Sequence, residues 1–577
     1  LVESAHWDLR YRARQLARAE EAAAALAAGR DPFAGERGGF QRRGYRSSVD
    51  GRLHPYVLYV PYAWREDGDG ELPLVVALHG LRSEPMSVLQ NLFGLALEEG
   101  EDRRHRARHP KTPEPVPMFA VAPEGFGASG YWAFGEADVL EVIDRVRERY
   151  RIDPDRIYLT GLSMGGIGAG GIALRNPDRF AAAAPLAGYH SLFEYRVLGR
   201  AELRPFEEAA ARVRSNISWA DHGRHLPLYV VHGARDNPIH SELLVGAYRE
   251  RGFDVRYETP DAGHNVWDET YADRRIFPHF RRYRREAHPR RVTLHTGRLR
   301  YHRNRWLRVW ESEDPAGWSR VEGRWSEDNR VRLETAGVRA FAVEREPELA
   351  GDRPVVFTID GQPTMAEAGP DGWYPFYRQG GRWVCAPPPP CAGLCKRAGG
   401  PTGPIGDVFY EPLLFVYGTR DPAETPLARR AVERLRRPGR WLTVDWPVEA
   451  DVEVSDADLA AHSVVVVGTE AGNGLLARLA PHLPIRAEDG AVRVGDRRFE
   501  GETVAAAFVF PNPLNPRRYV LVYTGASAEA IYYAAHLPEL LPDYVVYDAA
   551  DWSFAGGLAL VDREVLAAGY FDRRWRL

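Results

Sequence analysis

Cysteine is nearly absent: the 577 residues hold only Cys385, Cys391 and Cys395, all inside one proline-rich stretch, CAPPPPCAGLC. Three thiols cannot staple a chain of this length, and they fall short of the four ligands a structural zinc site takes. One local disulfide with a spare thiol, or three plain thiols, is the expectation, with no metal. Lysine is rarer still, at Lys111 and Lys396, so arginine carries nearly all the positive charge. That bias points to GC-rich coding and says nothing about chemistry. No apolar run approaches the roughly 20 residues a membrane helix needs, which argues against membrane insertion. Neither sign of charge dominates, and a net charge of −4 leaves no footprint for nucleic acid. An initiator methionine is also missing from LVESAHW, so a processed or truncated chain is expected, with a lost signal peptide left open.

What is present is the texture of several folded domains, because 577 residues exceed one ordinary core. Residues 1–43 read as an N-terminal helical segment, rich in Arg, Glu and Ala up to Gly29. From 44 to 288 short apolar runs of the kind buried on both faces of a parallel sheet alternate with helical patterns. These include LPLVVALHG, MFAVAPEG, RIYLTG, LPLYVVHG and VRYETP, preceded by a hairpin turning at Asp50-Gly51. The fold class is α/β, a doubly wound sheet. Residues 289–362 carry short alternating runs that fit a small β-sandwich. Residues 363–406 read as a Pro/Gly-rich linker with the cysteine loop, and 407–577 as a second, Rossmann-like α/β accessory domain.

The chemistry concentrates in RIYLTGLSMGGIG, residues 156–168. An apolar strand ends at a glycine, a lone serine follows, and small residues open a helix. G-x-S-x-G in this setting is the turn that presents a nucleophile, with Ser163 between Gly161 and Gly165. Glycines on both sides let neighbouring backbone pass without a Cβ clash. Downstream, VVHGARDNP sets Asp236 just past one strand, and PDAGHNVW sets His264 past the next. Serine, acid, histidine in that order, each at a strand end, is the arrangement for nucleophilic acyl transfer. Two N–H groups must then meet the developing oxyanion; Met164 supplies one and Leu81, after VVALHG, the other. His79 reads as a structural loop residue rather than a second base. Tyr131 and Trp132, Tyr189 and His190, and Trp267 sit in loops where substrate walls arise, and each has packing as its plain alternative. Glu136 reads as a cap for the helix that follows it.

LVVALHG, RIYLTGLSMGG, HGARDNP and AGHNVW together resemble the α/β-hydrolase superfamily. The resemblance is strongest to its polyhydroxybutyrate-depolymerase-like and feruloyl-type esterases, a branch overlapping the prolyl oligopeptidases, and it covers residues 44–288. It implies Ser163 as nucleophile, His264 as base and then acid, and Asp236 as the group orienting the imidazole. It also implies an acyl-enzyme resolved by water, with no cofactor, acting on a small-molecule or polymer-linked ester. No propeller-like repeats precede the domain, which leans away from peptides. A prolyl oligopeptidase-type peptidase is the alternative, and a binding protein with a vestigial hydrolase domain the more distant one. Export is expected for a polymer substrate, with the cytoplasm left open, and a homo-oligomer stays open.

GTEAGNG, residues 468–474, lacks both the dinucleotide fingerprint and the phosphate-binding lysine, so a plain strand-to-helix turn is expected there.

Overall fold

The structure is a computed structural model that describes all residues except 1–8, 31, 33–37, 67, 69, 95–115, 196–197, 272–273, 352, 440, 535, 551–556 and 561–563. The chain divides into two compact units, the first built from residues 1–47, 53–190 and 225–286, the second from 48–52, 191–224 and 287–577. Among the described residues no helix is long and apolar enough to cross a membrane.

The first unit holds one eight-stranded sheet. Its strands are β1 Gly39–Arg46, β2 Leu53–Val60, β3 Leu72–Leu78, β4 Phe119–Pro123, β5 Ile152–Leu162, β6 Ala182–Leu186, β7 Leu228–Val231 and β8 Val255–Glu258. β1 and β2 form the antiparallel hairpin, and β3 to β8 run parallel. Helices take the crossovers, among them Phe134–Arg149, Met164–Arg175 and Ile239–Glu250. Leu74 to Leu78 have no exposed surface, the expected fate of an apolar strand covered on both faces. The order β1-β2-β4-β3-β5-β6-β7-β8 reverses beside β3. A ligand crevice opens at the carboxyl ends of strands at such a reversal. Ser163 follows β5 and Gly80 follows β3, so both stand there.

The second unit contains two five-stranded sheets over 291–385 that share one core, in which Trp306, Val321, Phe341, Phe357 and Phe376 meet. Strands Trp373–Gln379 and Arg382–Cys385 belong to it, inside the stretch read as linker. Gly380 and Gly381, both at positive φ, turn one strand into the other, so the glycines mark a hairpin. Residues 191–224, read as part of the first α/β region, cluster with the second unit. The C-terminal sheet has seven strands among the described residues, of which Val448–Ala450, Leu413–Tyr417, Ser463–Val467 and Asn515–Gly525 are joined by parallel pairing. Val504–Asn512 pairs antiparallel on both sides, so the sheet is mixed. Cys391 and Cys395 form a disulfide, and Cys385 is a half-exposed free thiol.

Candidate active site

Ser163 sits at φ 56° between β5 and the helix Met164–Arg175. That left-handed backbone is costly for a residue with a Cβ, and the surroundings fix it. A Cβ on Gly165 would lie 2.1 Å from the Leu78 carbonyl oxygen, and one on Gly161 2.3 Å from the Gly165 oxygen. The Ser163 N–H donates to the Leu186 carbonyl at 2.9 Å. The strand-turn-helix is therefore wedged among β3, β5 and β6, and the hydroxyl is held at the strand ends.

His264, in the loop after β8, brings Nε2 to 2.8 Å from Ser163 Oγ. Its Nδ1 lies 2.7 Å from Asp236 Oδ2, on the turn after β7. Burial alone would raise the Asp236 carboxyl, but hydrogen bonds and charge from His264 and His232 hold it below the ordinary carboxylate value. Trp267 stands edge-on to the His264 ring at 5.8 Å and is 8% exposed, so it braces the imidazole from below its loop.

Met164 is the first residue of its helix, where an N–H has no partner within the helix. Gly80 lies against the nucleophile, since a Cβ there would sit 3.6 Å from Ser163 Cβ. A turn closed by the Ser83 N–H and the Gly80 carbonyl carries Leu81 at its second position, 53% exposed. His79 is buried, with its ring nitrogens 2.9 Å and 2.8 Å from the carbonyl oxygens of Gly80 and Glu124. That is a loop-fixing role. The loop after β4, which His79 reaches at Glu124, is tied by Asp138, which accepts from the Gly125 N–H at 2.7 Å and from the Tyr45 hydroxyl; burial pushes its carboxyl up to about 7.

The expected substrate walls fare unevenly. Tyr131 is fully buried: φ 55° turns its ring inward, its hydroxyl donates to the His79 carbonyl at 3.2 Å, and no surface remains for a ligand. Trp132 packs under the Arg175 guanidinium at 4.5 Å, and Arg175 pairs with buried Glu136 at 2.8 Å. Glu136 thus serves a buried ion pair as well as standing in the first turn of its helix. Tyr189 meets the His240 ring edge-on at 6.2 Å. His190 is buried and pushed down to about 3 by that burial, with His232 and His240 adding to the effect. It is a neutral interior group.

One residue of this site went unread in the sequence. His232, directly after β7 and 1% exposed, reaches Asp236 Oδ2 with Nε2 at 3.0 Å. Its place in an apolar strand end gave no signal apart from the spacing His-x-x-x-Asp. Among the described residues His288, Glu346 and Glu348, in the second unit, stand close enough to share a cation; His288 already bonds Glu346.

Residues 48–259 match the family model described as putative esterase. That stretch is similar to this esterase family. The chain is 24% identical over 178 residues to a bifunctional acetylxylan esterase/xylanase of Neocallimastix patriciarum, covering 30% of this chain and 21% of that one. It is 44% identical over 55 residues to a poly(3-hydroxyalkanoate) depolymerase of Paucimonas lemoignei, covering 9% and 13%. An uncharacterized secreted protein of Arthroderma benhamiae is 24% identical over 457 residues, covering 74% and 47%. The chain therefore spans less than half the length of each of these curated relatives.

Proposed function

We propose that the α/β-hydrolase domain is a serine carboxylesterase that works through an acyl-enzyme. The observation carrying this reading is the unbroken chain Ser163 Oγ to His264 Nε2, then His264 Nδ1 to Asp236 Oδ2, at 2.8 Å and 2.7 Å, on a nucleophile at φ 56°. Asp236, ionised, accepts only, so Nδ1 of His264 carries the proton and Nε2 is left as a base facing the hydroxyl. As Oγ attacks the ester carbonyl, Nε2 takes its proton, a transfer worth about 10²–10⁴-fold. The N–H groups of Met164 and Leu81 receive the oxyanion. The imidazolium then protonates the departing alkoxide. Water, deprotonated by the same nitrogen, attacks the acyl carbonyl and frees Ser163.

Relatives described as an acetylxylan esterase and a poly(3-hydroxyalkanoate) depolymerase support an ester substrate. Small acyl, feruloyl and polyester-type esters are the classes to try. Hydrolysis of p-nitrophenyl acetate, butyrate and octanoate, wild type beside Ser163→Ala, is the test, with a Gly-Pro anilide alongside. Ester turnover that vanishes in the variant is the expected result. Ser163-dependent cleavage of the anilide instead would replace the esterase with a peptidase.

A further inference from the structure

Resting on that reading of the site, we infer that His232 is a positioning residue for the triad: its Nε2–H gives the Asp236 carboxylate a second donor, on the oxygen His264 uses. Both contacts end on Asp236 Oδ2, His264 Nδ1 at 2.7 Å and His232 Nε2 at 3.0 Å. An ionised carboxylate only accepts, so each facing nitrogen carries a hydrogen.

The other edge of the ring fixes the tautomer. His232 Nδ1 lies 2.8 Å from the Ser241 hydroxyl, on the helix Ile239–Glu250. Burial, opposed by Asp236, pushes His232 below the usual histidine value, so the ring is neutral. With Nε2 protonated, Nδ1 is bare and accepts from Ser241 O–H. That hydroxyl has one proton, and the Gly188 carbonyl at 3.3 Å is its poorer acceptor. Ser241 and His232 have 0% and 1% exposure, so the Ser241–His232 end of the relay is shielded from water. The ionisable groups facing His232 are Asp236 on its own turn, His240 on the helix, His190 beyond β6 and His264 beyond β8.

A second donor does two things. It stops the Asp236 carboxylate, on a side chain that is 28% exposed, from rotating. It also shares the carboxylate charge, which weakens the hold on the imidazolium that forms during attack. The two ring nitrogens allow a discriminating test, because glutamine places its amide N–H where Nε2 stands, and asparagine places its own where Nδ1 stands.

The readout is the rate at which a fluorophosphonate labels Ser163, followed by intact mass, in wild type, His232→Gln, His232→Asn and His232→Leu. It needs no knowledge of the natural ester, and thermal midpoints report whether each variant folds. Leu and Asn should label at least about tenfold slower, with the acid limb of the rate profile moved to higher pH. Gln should return most of the rate and the wild-type limb. Gln and Asn behaving alike, or Leu labelling as fast as wild type, would overturn the inference and leave the esterase reading standing. Wild-type Ser163 that resists labelling would overturn the esterase reading and this inference with it.

Discussion

VVHGARDNP (230–238) and FVYGTRDPA (415–423) are nearly the same sentence written twice, and the backbone treats them alike. In the first, a Cβ on Gly233 would lie 2.1 Å from the Gly263 carbonyl oxygen, and the Arg235 N–H donates to Ala262. In the second, a Cβ on Gly418 would lie 2.3 Å from the Gly472 oxygen, and the Arg420 N–H donates to Gly472. Each turn is pressed against an Ala-Gly loop at the end of another strand, Ala262-Gly263-His264 in one case and Ala471-Gly472-Asn473 in the other. Only the side chains differ. Where His264 joins Asp236 to Ser163, Asn473 caps a short helix through Leu476 N–H at 3.0 Å. Asp421 spends its carboxylate on the Ala423 N–H at 2.8 Å. Glu424 fills the glycine loop, accepting from the N–H and hydroxyl of Thr469. The backbone offers a place for chemistry twice, and one of the two is used up on its own loop.

The largest effect should come from making the first turn read like the second. His264→Asn leaves the fold but removes the base, and ester turnover should fall by at least about 10³-fold. The reciprocal Asn473→His should add no turnover to Ser163→Ala. Activity gained there would mean the second turn is a latent site, and the comparison would fail.

The two glycines sharpen it next. Gly233→Ala and Gly418→Ala place a methyl against a carbonyl at nearly the same separation, so each should cost about 1–3 kcal/mol of stability, read by thermal unfolding. Only Gly233→Ala should also slow turnover, by about 10²-fold, because the loop it displaces carries His264. Equal losses of activity would mean the effect is instability alone.

How far the sequence anticipates this depends on how local each feature is. Ser163, Asp236 and His264 stand at strand ends, where an apolar run stopping at glycine is visible in a dozen letters. The runs at 72–80, 118–125, 226–233 and 255–260 each contain a strand of the first sheet, and the run at 156–161 lies within another. Partner choice is not local. Nothing in YVVYD or FVFPN announces that Val504–Asn512 reverses direction between its neighbours. The glycine pair at 380–381 looks like linker until a second strand is there to receive it. His232 was hidden for a related reason: a histidine one residue past a buried strand has the profile of a satisfied core group, and only its neighbour across the turn gives it a task. Tyr131 errs in the opposite direction, since a loop tyrosine looks available until positive φ folds its ring inside.

The smallest expected effect concerns acid. His190, His232, His240 and His264 gather around the first turn, and no histidine stands in FVYGTRDPA or GTEAGNG. His190 has an ordinary value of 6.5 and is pushed down to about 3 by burial. A histidine whose folded value lies below its unfolded one contributes stability that is present above the unfolded value. That stability is lost as pH falls toward the folded value, because the unfolded chain takes up the proton first. Between pH 7 and about pH 4.5 this one ring should withdraw about 2 kcal/mol. His190→Gln, which cannot take up that proton, should narrow the gap in thermal stability between those two conditions by about that amount and leave turnover near pH 7 unchanged. An unchanged gap would mean that His190 titrates in the folded protein as it does in water, and that the interior around the first turn is wetter than its packing implies.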